Sequence, residues 1–392
     1  MIVWAEICRK DNEHAMFNVA MLNICCDVFS KEDRVVAFWD KGQFKICESY
    51  LKNSPNLTIR KIAVVRPKKS DKLSWFVKLG LEIVIMLKVL LFARLKAARI
   101  LFFTSLSPFS QYILNIILKI LLKKTLVIIA LHGELELVKG ESKKKIDKYL
   151  AFCLFRSFHS QIKNRKFLLL GHSIAKNAQR YGILTEDQII TIEHPYILPA
   201  KQLSIIHEDY TPKKLIFAHL GVAKLSKNSH LFFKLASEFR KEVKQGRVRF
   251  QIIGPVFKEL QPFVNEFVDF SMNDQFLDRS SYEVLCANID CALFFYDNKA
   301  YELCSSGALL DAIFFGKPVL GMENSYFKGL FSLIEHKPGL LFQDFHGMVL
   351  HVKRLLNKDT DLKVFQHGII DLQKRLNLES VGKEFFDQIK NR

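Results

Sequence analysis

Ser305, Ser306 and Gly307 stand directly before an apolar run within the segment 301–321, YELCSSGALLDAIFFGKPVLG. Serine is a preferred helix N-cap, and glycine lets a ligand approach the backbone closely. The unpaired N–H groups of a helix start, with the positive end of its dipole, attract an anion, and the shape suits a diphosphate. Asp311 follows one turn later on the same helix, beside that spot. Gly316, Lys317 and Pro318 end the helix, and Val319 and Leu320 open a buried strand.

Other reactive residue types fall at the ends of apolar runs. His132 and Glu134, in LHGEL at 131–135, follow a strand pattern and so lie at its C-terminal end, the ligand edge of an open α/β sheet. A structural histidine fits the same position. Glu13 and His14 lie in the loop after the first strand, where an acidic helix-capping turn is the alternative to chemistry. His194-Pro195 reads as hinge structure, and His172-Ser173 as a strand end lining a cleft.

The elements that would hold these residues alternate along the chain. Strands are expected at 2–5, 34–38, 57–65, 100–103, 125–131, 166–170 and 187–192, with helices at 15–28, 44–51, 72–99, 109–122 and 146–158 between them. Residues 197–213 are polar and contain proline, as a linker does. A second cycle has strands at 215–219, 248–253, 268–270, 276–277, 290–295 and 339–342, and helices at 229–242, 257–267 and 281–287. Strand–helix alternation implies parallel, doubly wound sheets, here two Rossmann-like domains facing a cleft. The expected boundaries are 1–198, 199–375, and a C-terminal helix at 376–392 that returns to the first domain.

At 392 residues, two domains fit better than one core. An apolar content of 49% excludes a disordered chain. The eight cysteines form no C-x-x-C pair and several lie in apolar runs, as reduced buried thiols do. Acidic and basic residues interrupt 1–11, unlike a signal peptide. The longest uncharged run, 100–118, is cut by Thr104, Ser105, Ser107, Pro108 and Ser110, so it does not read as a membrane span.

The net charge is +18, and residues 1–200 carry 32 Lys and Arg against 17 Asp and Glu. A basic excess suits nucleic acid, an anionic substrate or a membrane surface. No nucleic-acid recognition motif is present, so nucleic acid is not expected as a partner. The basic residues interleave with aliphatic ones instead, most clearly at 72–99. There Lys78, Glu82, Lys88, Lys96 and Arg99 are expected on one side of a helix that is otherwise apolar nearly all round. Such a helix suits an anionic bilayer with snorkelling lysines, and equally a helix packed on a sheet with a wet basic stripe.

Segment by segment, 214–321 resembles the GT-B glycosyltransferases, in particular the retaining family-4 (group 1) type. The resemblance rests on Gly221 and Lys227 after the first strand, Gly254-Pro255 after the second, YEVLCANID at 282–290, and the 301–321 segment. It implies that Gly221, Lys227, the nearby Lys224 and Gly254 meet a donor diphosphate, together with Ser305, Ser306 and Gly307. The family carries two acidic residues eight apart, the second binding the donor ribose. Asp311 matches the second; the first falls on Leu303, with Glu302 next door as its substitute. His132 matches a histidine that touches the donor sugar. The usual glycines of the first loop are absent, which leaves Glu13 or His14 to shape acceptor binding or serve as general base.

The activity so implied moves a sugar from a nucleotide-sugar donor to a surface-glycan or lipid-linked acceptor. It needs no cofactor and no metal, consistent with the lack of a D-x-D motif at a strand end. The expected location is cytoplasmic and peripheral on the inner membrane face. The alternatives are a GT-B nucleotide-sugar epimerase or phosphorylase-like enzyme, and a non-catalytic membrane-associated scaffold.

Overall fold

Ile2–Glu6 (β1), Val35–Asp40 (β2), Leu57–Ile62 (β3), Ile100–Ser105 (β4), Leu126–Leu131 (β5), Arg165–Leu170 (β6) and Ile189–Ile192 (β7) form one parallel sheet, ordered β3-β2-β1-β4-β5-β6-β7. These come from a computed structural model that describes residues 1–29, 33–65, 72–139, 144–197, 214–270 and 277–390. Strands such as IVWAE and LVIIAL are apolar without alternation because helices cover both faces of a parallel sheet. A second parallel sheet joins Leu215–Leu220 (β8), Val248–Ile253 (β9), Val268–Asp269 (β10), Cys291–Phe294 (β11), Val319–Met322 (β12) and Gly339–Phe342 (β13). Its order is β10-β9-β8-β11-β12-β13.

The chain therefore holds two Rossmann-like doubly wound domains. By contacts they comprise 1–197 with 303–305 and 376–390, and 214–302 with 306–375. The expected linker, beyond Ile197, and Phe276 of the expected edge at 276–277 lie outside the described residues. In each sheet the strand order reverses once, at β1/β4 and at β8/β11. Loops leaving the carboxyl ends of those neighbours diverge to opposite faces and open a crevice.

In the first unit, the helices Ala15–Phe29 and Leu378–Lys390 pack on one face of the sheet. Trp4, Trp39, Leu22, Val381 and Phe385 belong to that core. Trp4 and Trp39 meet at 5.0 Å between ring centroids, and Phe102 meets Phe385 at 6.1 Å. The second unit's core is built on Phe217, Phe232, Phe250, Leu293 and Val352. All eight cysteines are free thiols, and all but Cys304 are buried.

Several elements differ from the sequence pattern, each for a local reason. Lys258–Phe263 is a 3-10 helix and not part of a long α-helix, because Pro262 lies inside it and lacks the N–H an α-helix needs. The stretch 229–242 divides into His230–Glu238 and Arg240–Lys244, with the break at Phe239. His172 begins a helix, His172–Arg180, and its Nε2 lies 2.6 Å from Glu384 Oε1 on the C-terminal helix. That contact gives His172 a tethering role. The basic helix spans Lys72–Leu95, ending before Lys96 and Arg99. Glu82 does not share a wet face with Lys78 and Lys88. It is buried, and its Oε1 accepts the Ser107 N–H at 2.8 Å. Among the described residues no helix is long and apolar enough to cross a membrane.

Because Phe385 is fully enclosed against the first sheet, Phe385→Ala is expected to destabilise that unit by about 3–5 kcal/mol. Chemical denaturation followed by tryptophan fluorescence would check this, since Trp4 and Trp39 sit in the same core. An unchanged midpoint would show that the helix does not contribute to the unit's stability.

Candidate functional site

In the second unit β8, at the reversal, and its neighbour β9 end in a tight backbone arrangement. Gly221 follows β8 with φ +77°, and Gly254 follows β9 with φ +143°. A Cβ on Gly254 would lie 2.4 Å from the Gly221 carbonyl oxygen, so only glycine fits there. The Gly221 N–H donates to Ile253 O at 2.9 Å, and a bridge between Ala223 and Val256 continues the contact. Gly254 therefore supports the turn, and Gly221 is the residue the turn presents. A Cβ on Gly221 would lie 3.4 Å from the Ala308 Cβ, which places the turn against the first residues of the helix Gly307–Phe314.

That helix starts as its sequence indicates. Ser306 is buried, and its Oγ accepts the Leu309 N–H at 3.3 Å. Gly307 is exposed, with open space where a side chain would stand. The glycine turn and the amides of the first helical turn thus meet at an open spot that favours an anion. Ser305 is half-buried and Glu302 is buried, both on the segment leading in.

The loop after the glycine turn holds the cations. The Lys227 ammonium lies 5.1 Å from the Tyr296 ring centroid and 5.8 Å from that of Tyr301. Those rings stack at 4.3 Å and 11°. Asn228 takes the left-handed conformation, and its Nδ2 donates to Phe295 O and Asp297 Oδ2, both at 3.2 Å. Lys224 donates its backbone N–H to Ser229 Oγ at 3.1 Å, and His219 Nε2 lies 3.0 Å from the same hydroxyl. Burial, with Lys227 nearby, pushes the His219 imidazole down to about 3. A neutral histidine under the loop leaves the lysines as its positive charge.

Asp311 is more engaged than its position suggests. Its Oδ1 lies 3.2 Å from Arg279 Nη1, and its Oδ2 accepts the Tyr282 hydroxyl at 2.9 Å. Arg279 also donates through Nε to Glu283 Oε1 at 2.7 Å. In this structure Asp311 fixes Arg279 and Tyr282. A ribose hydroxyl would be an additional partner for its carboxylate. The sequence reading missed Arg279 because it began this helix at Ser281. The signal was Asp278, whose carboxylate caps the Ser281 N–H at 2.9 Å.

In the first unit, histidines far apart in sequence converge. His14 and His132 meet at 3.8 Å between ring centroids, and Phe17 packs edge-on to His132 at 4.6 Å. His194, read as hinge structure, also meets Phe17, at 5.3 Å between ring centroids. His132 Nε2 lies 2.9 Å from Thr104 O, a pure acceptor, so Nε2 carries the proton and Nδ1 holds the lone pair. His14 has φ +57°, an uncommon conformation for a side-chain-bearing residue.

Glu13 points differently: it is well exposed, with Arg9 Nη1 4.0 Å from its Oε2. Arg9 Nη2 is also 4.0 Å from Glu134 Oε1, while Glu134 Oε2 accepts the backbone N–H groups of His132 and Gly133 at 2.6 and 3.0 Å. Arg9, absent from the sequence reading, thus sits among Glu13, Glu134 and the histidine pair. Burial of the ring, with the Arg9 charge adding to it, pushes His132 down to about 3. Burial, then His132, Arg9 and His194, holds His14 well below the usual histidine range. Both are neutral near pH 7.

No family model matches the sequence, and no curated relative does. Solved structures do match over its full length. Sucrose-phosphate synthase from Thermosynechococcus elongatus covers 100% of this chain and 98% of its own at 11% identity and TM-score 0.67. HepE of Anabaena, solved with UDP-glucose, covers 100% and 99% at 12% identity and TM-score 0.64. WaaG, a glycosyltransferase involved in lipopolysaccharide biosynthesis, covers 100% of both chains at 13% identity and TM-score 0.61. Together with the two doubly wound sheets, these likenesses show the GT-B fold.

Two outcomes follow from the geometry. Gly254→Ala is expected to displace the Gly221 turn and to abolish binding of nucleoside diphosphates in calorimetry; retained affinity would show that the turn is not part of an anion site. The histidines set a pH dependence. His14, His132 and His219 resist protonation when folded, so below about pH 6.5 the unfolded chain binds more protons and stability falls with pH. His132→Gln keeps an N–H donor for Thr104 O but does not titrate. Its thermal midpoint is expected to fall less steeply than that of the wild type between about pH 6.5 and 4. Equal slopes would mean that His132 does not contribute to the linkage.

Proposed function

We propose that the chain is a glycosyltransferase that moves a sugar from a nucleoside-diphosphate donor to a surface-glycan or lipid-linked acceptor. The observation that carries this reading is the open spot in the second unit where the Gly221 turn meets the start of the helix Gly307–Phe314. The Gly307 amide and its neighbours, with Lys227 and Lys224, suit a diphosphate. The leaving nucleoside diphosphate gains negative charge as the glycosidic bond breaks, and fixed N–H dipoles and ammonium groups stabilise that charge. On this reading the transfer needs no metal, and the lysines and amides take that role. Asp311 serves the donor ribose while holding Arg279 and Tyr282.

The first unit supplies the acceptor-side chemistry. His132, neutral with its lone pair on Nδ1, contacts the donor sugar, and His14 or Glu13 orients or deprotonates the acceptor hydroxyl. HepE is solved with UDP-glucose, which makes UDP-glucose the first donor to test. WaaG acts in lipopolysaccharide biosynthesis, which supports a surface-glycan acceptor. The basic first unit fits a cytoplasmic enzyme peripheral on an anionic inner membrane face.

A thermal-shift screen over UDP-, GDP-, ADP- and CMP-sugars tests the donor directly. One nucleotide class is expected to raise the midpoint, and Lys227→Ala to weaken that binding by about tenfold to a hundredfold. Wild-type protein that binds no nucleotide sugar would overturn the reading in favour of a non-catalytic scaffold. Turnover of the donor without any acceptor would point instead to the epimerase-like alternative.

A further inference from the structure

One face of the first unit's sheet presents side chains that water does not suit. The helices Lys72–Leu95, Pro108–Leu118 and Lys145–Phe158 each lead from a strand towards the β7 edge. Right-handed crossovers put all three on the same side of the sheet, opposite Ala15–Phe29. They touch in sequence: Glu82 takes the Ser107 N–H, and Phe109 meets Tyr149 at 6.5 Å. Their inner sides are buried through Met86, Leu90, Leu114 and Phe158.

Their outer sides are equally apolar and open to solvent. Among the described residues, thirteen of the twenty-two exposed large apolar side chains lie on these helices or the turn after the second. Phe76 is 63% exposed, Leu95 83%, Ile120 73%, Phe152 56% and Phe155 48%. A patch of this breadth is rare on a soluble monomer and marks a docking surface. Around it, residues 74–96, 108–124 and 144–158 hold eleven Lys and Arg against two acids. Of those acids Glu82 is turned inward.

The charge selects the occupant. A second copy on a two-fold axis would bring the same lysines face to face and repel. A nucleic acid would pair with the lysines and leave the phenylalanines and leucines without a partner. A bilayer with anionic lipid matches both features, taking apolar side chains among its acyl chains and ammonium groups at its headgroups.

We propose that this three-helix face is the surface by which the protein lies on an anionic bilayer. The inference rests on the peripheral-membrane reading and deepens it. It extends the contact from the helix Lys72–Leu95 to two further helices, and makes inserted apolar side chains, rather than charge alone, hold the protein there. Salt therefore releases the protein only in part.

The test is sedimentation of the full chain with vesicles of phosphatidylglycerol mixed with phosphatidylcholine, at low salt and at about 1 M, where charges are screened within about 3 Å. Wild type is expected to bind at low salt and to remain partly bound at high salt. Phe152→Ser with Phe155→Ser should lose at least about tenfold in partitioning at both salts, because each ring withdrawn from lipid is worth about that factor or more. Lys144→Glu with Lys145→Glu and Lys148→Glu should lose the preference for phosphatidylglycerol over pure phosphatidylcholine. Unchanged thermal midpoints and nucleotide affinity would confirm that both variants fold. If wild type binds and both folded variants bind equally well, the face is not the docking surface, while the peripheral reading stands. If wild type ignores all vesicles, both fall and the glycosyltransferase reading is untouched. A dimer that the phenylalanine variant converts to monomer would assign the face to a second copy and overturn the proposal, as would binding to RNA that displaces the vesicles.

Discussion

The first unit depends on one buried carboxylate. Glu6 ends β1 with no exposure to solvent, and an unpaired charge there would cost several kcal/mol. Its oxygens accept from the Cys8 and Arg9 N–H groups, Asn18 Nδ2, and the hydroxyls of Thr104 and Ser105, all between 2.8 and 3.1 Å. Burial raises the carboxyl above its usual range, and the Arg9, Cys8, Ser105 and Thr104 donors offset this only in part. Satisfying Glu6 fixes the turn that carries Arg9, anchors the helix Ala15–Phe29 and shapes β4. Pairing with β1 passes from Ala5↔Phe103 to Glu6↔Ser105, so Thr104 is an extra residue, a bulge. That bulge turns the Thr104 carbonyl towards His132. The placement of His132 against His14 thus follows from a charge that neither of them touches.

The second unit shapes the ends of β8 and β9 with glycine and neutral supports. Gly221 and Gly254 let two strand ends approach more closely than any side chain allows, and the neutral His219–Ser229 pair props the lysine loop from below. The contrast fits the chemistry assigned to each side. Uncharged supports beneath the loop leave the field of Lys227 and the helix amides intact. In the first unit the carboxylates of Glu6 and Glu134 offset Arg9, and the histidines remain neutral.

The fold was legible because its signals are local. Parallel strands buried on both faces read as continuous apolar runs, and helices of a turn or more separate them. The backbone positions of the candidate residues were equally plain: Gly221 and Gly254 after strands, Ser306 and Gly307 at a helix start, His132 at a strand end. What sequence could not show was pairing across the fold. Nothing near residue 14 indicates that its ring will meet that of His132, nor does the neighbourhood of Asp311 point to Arg279 and Tyr282. Arg9 reads as an ordinary loop cation until Glu6 pins its backbone. Pro262 was a local signal too, and the expected long helix at 257–267 gave it too little weight.

The basic helix shows a different kind of limit. In Lys72–Leu95 apolar residues occupy both sides, so periodicity cannot say which side faces inward. Glu82 illustrates the ambiguity: on spacing it shares a face with Lys78 and Lys88, yet its carboxylate is satisfied inside by the Ser107 N–H. Once one side is committed to the sheet through Met86, Val89, Leu90 and Ala93, the other must be apolar for a reason that folding of the unit does not supply. Leu95 at 83% exposure gains nothing from the first unit's core. A sequence under selection only for that core would place polar residues there. Apolar side chains exposed on three adjacent helices, with lysines interspersed, are what the proposed contact with an anionic bilayer would use.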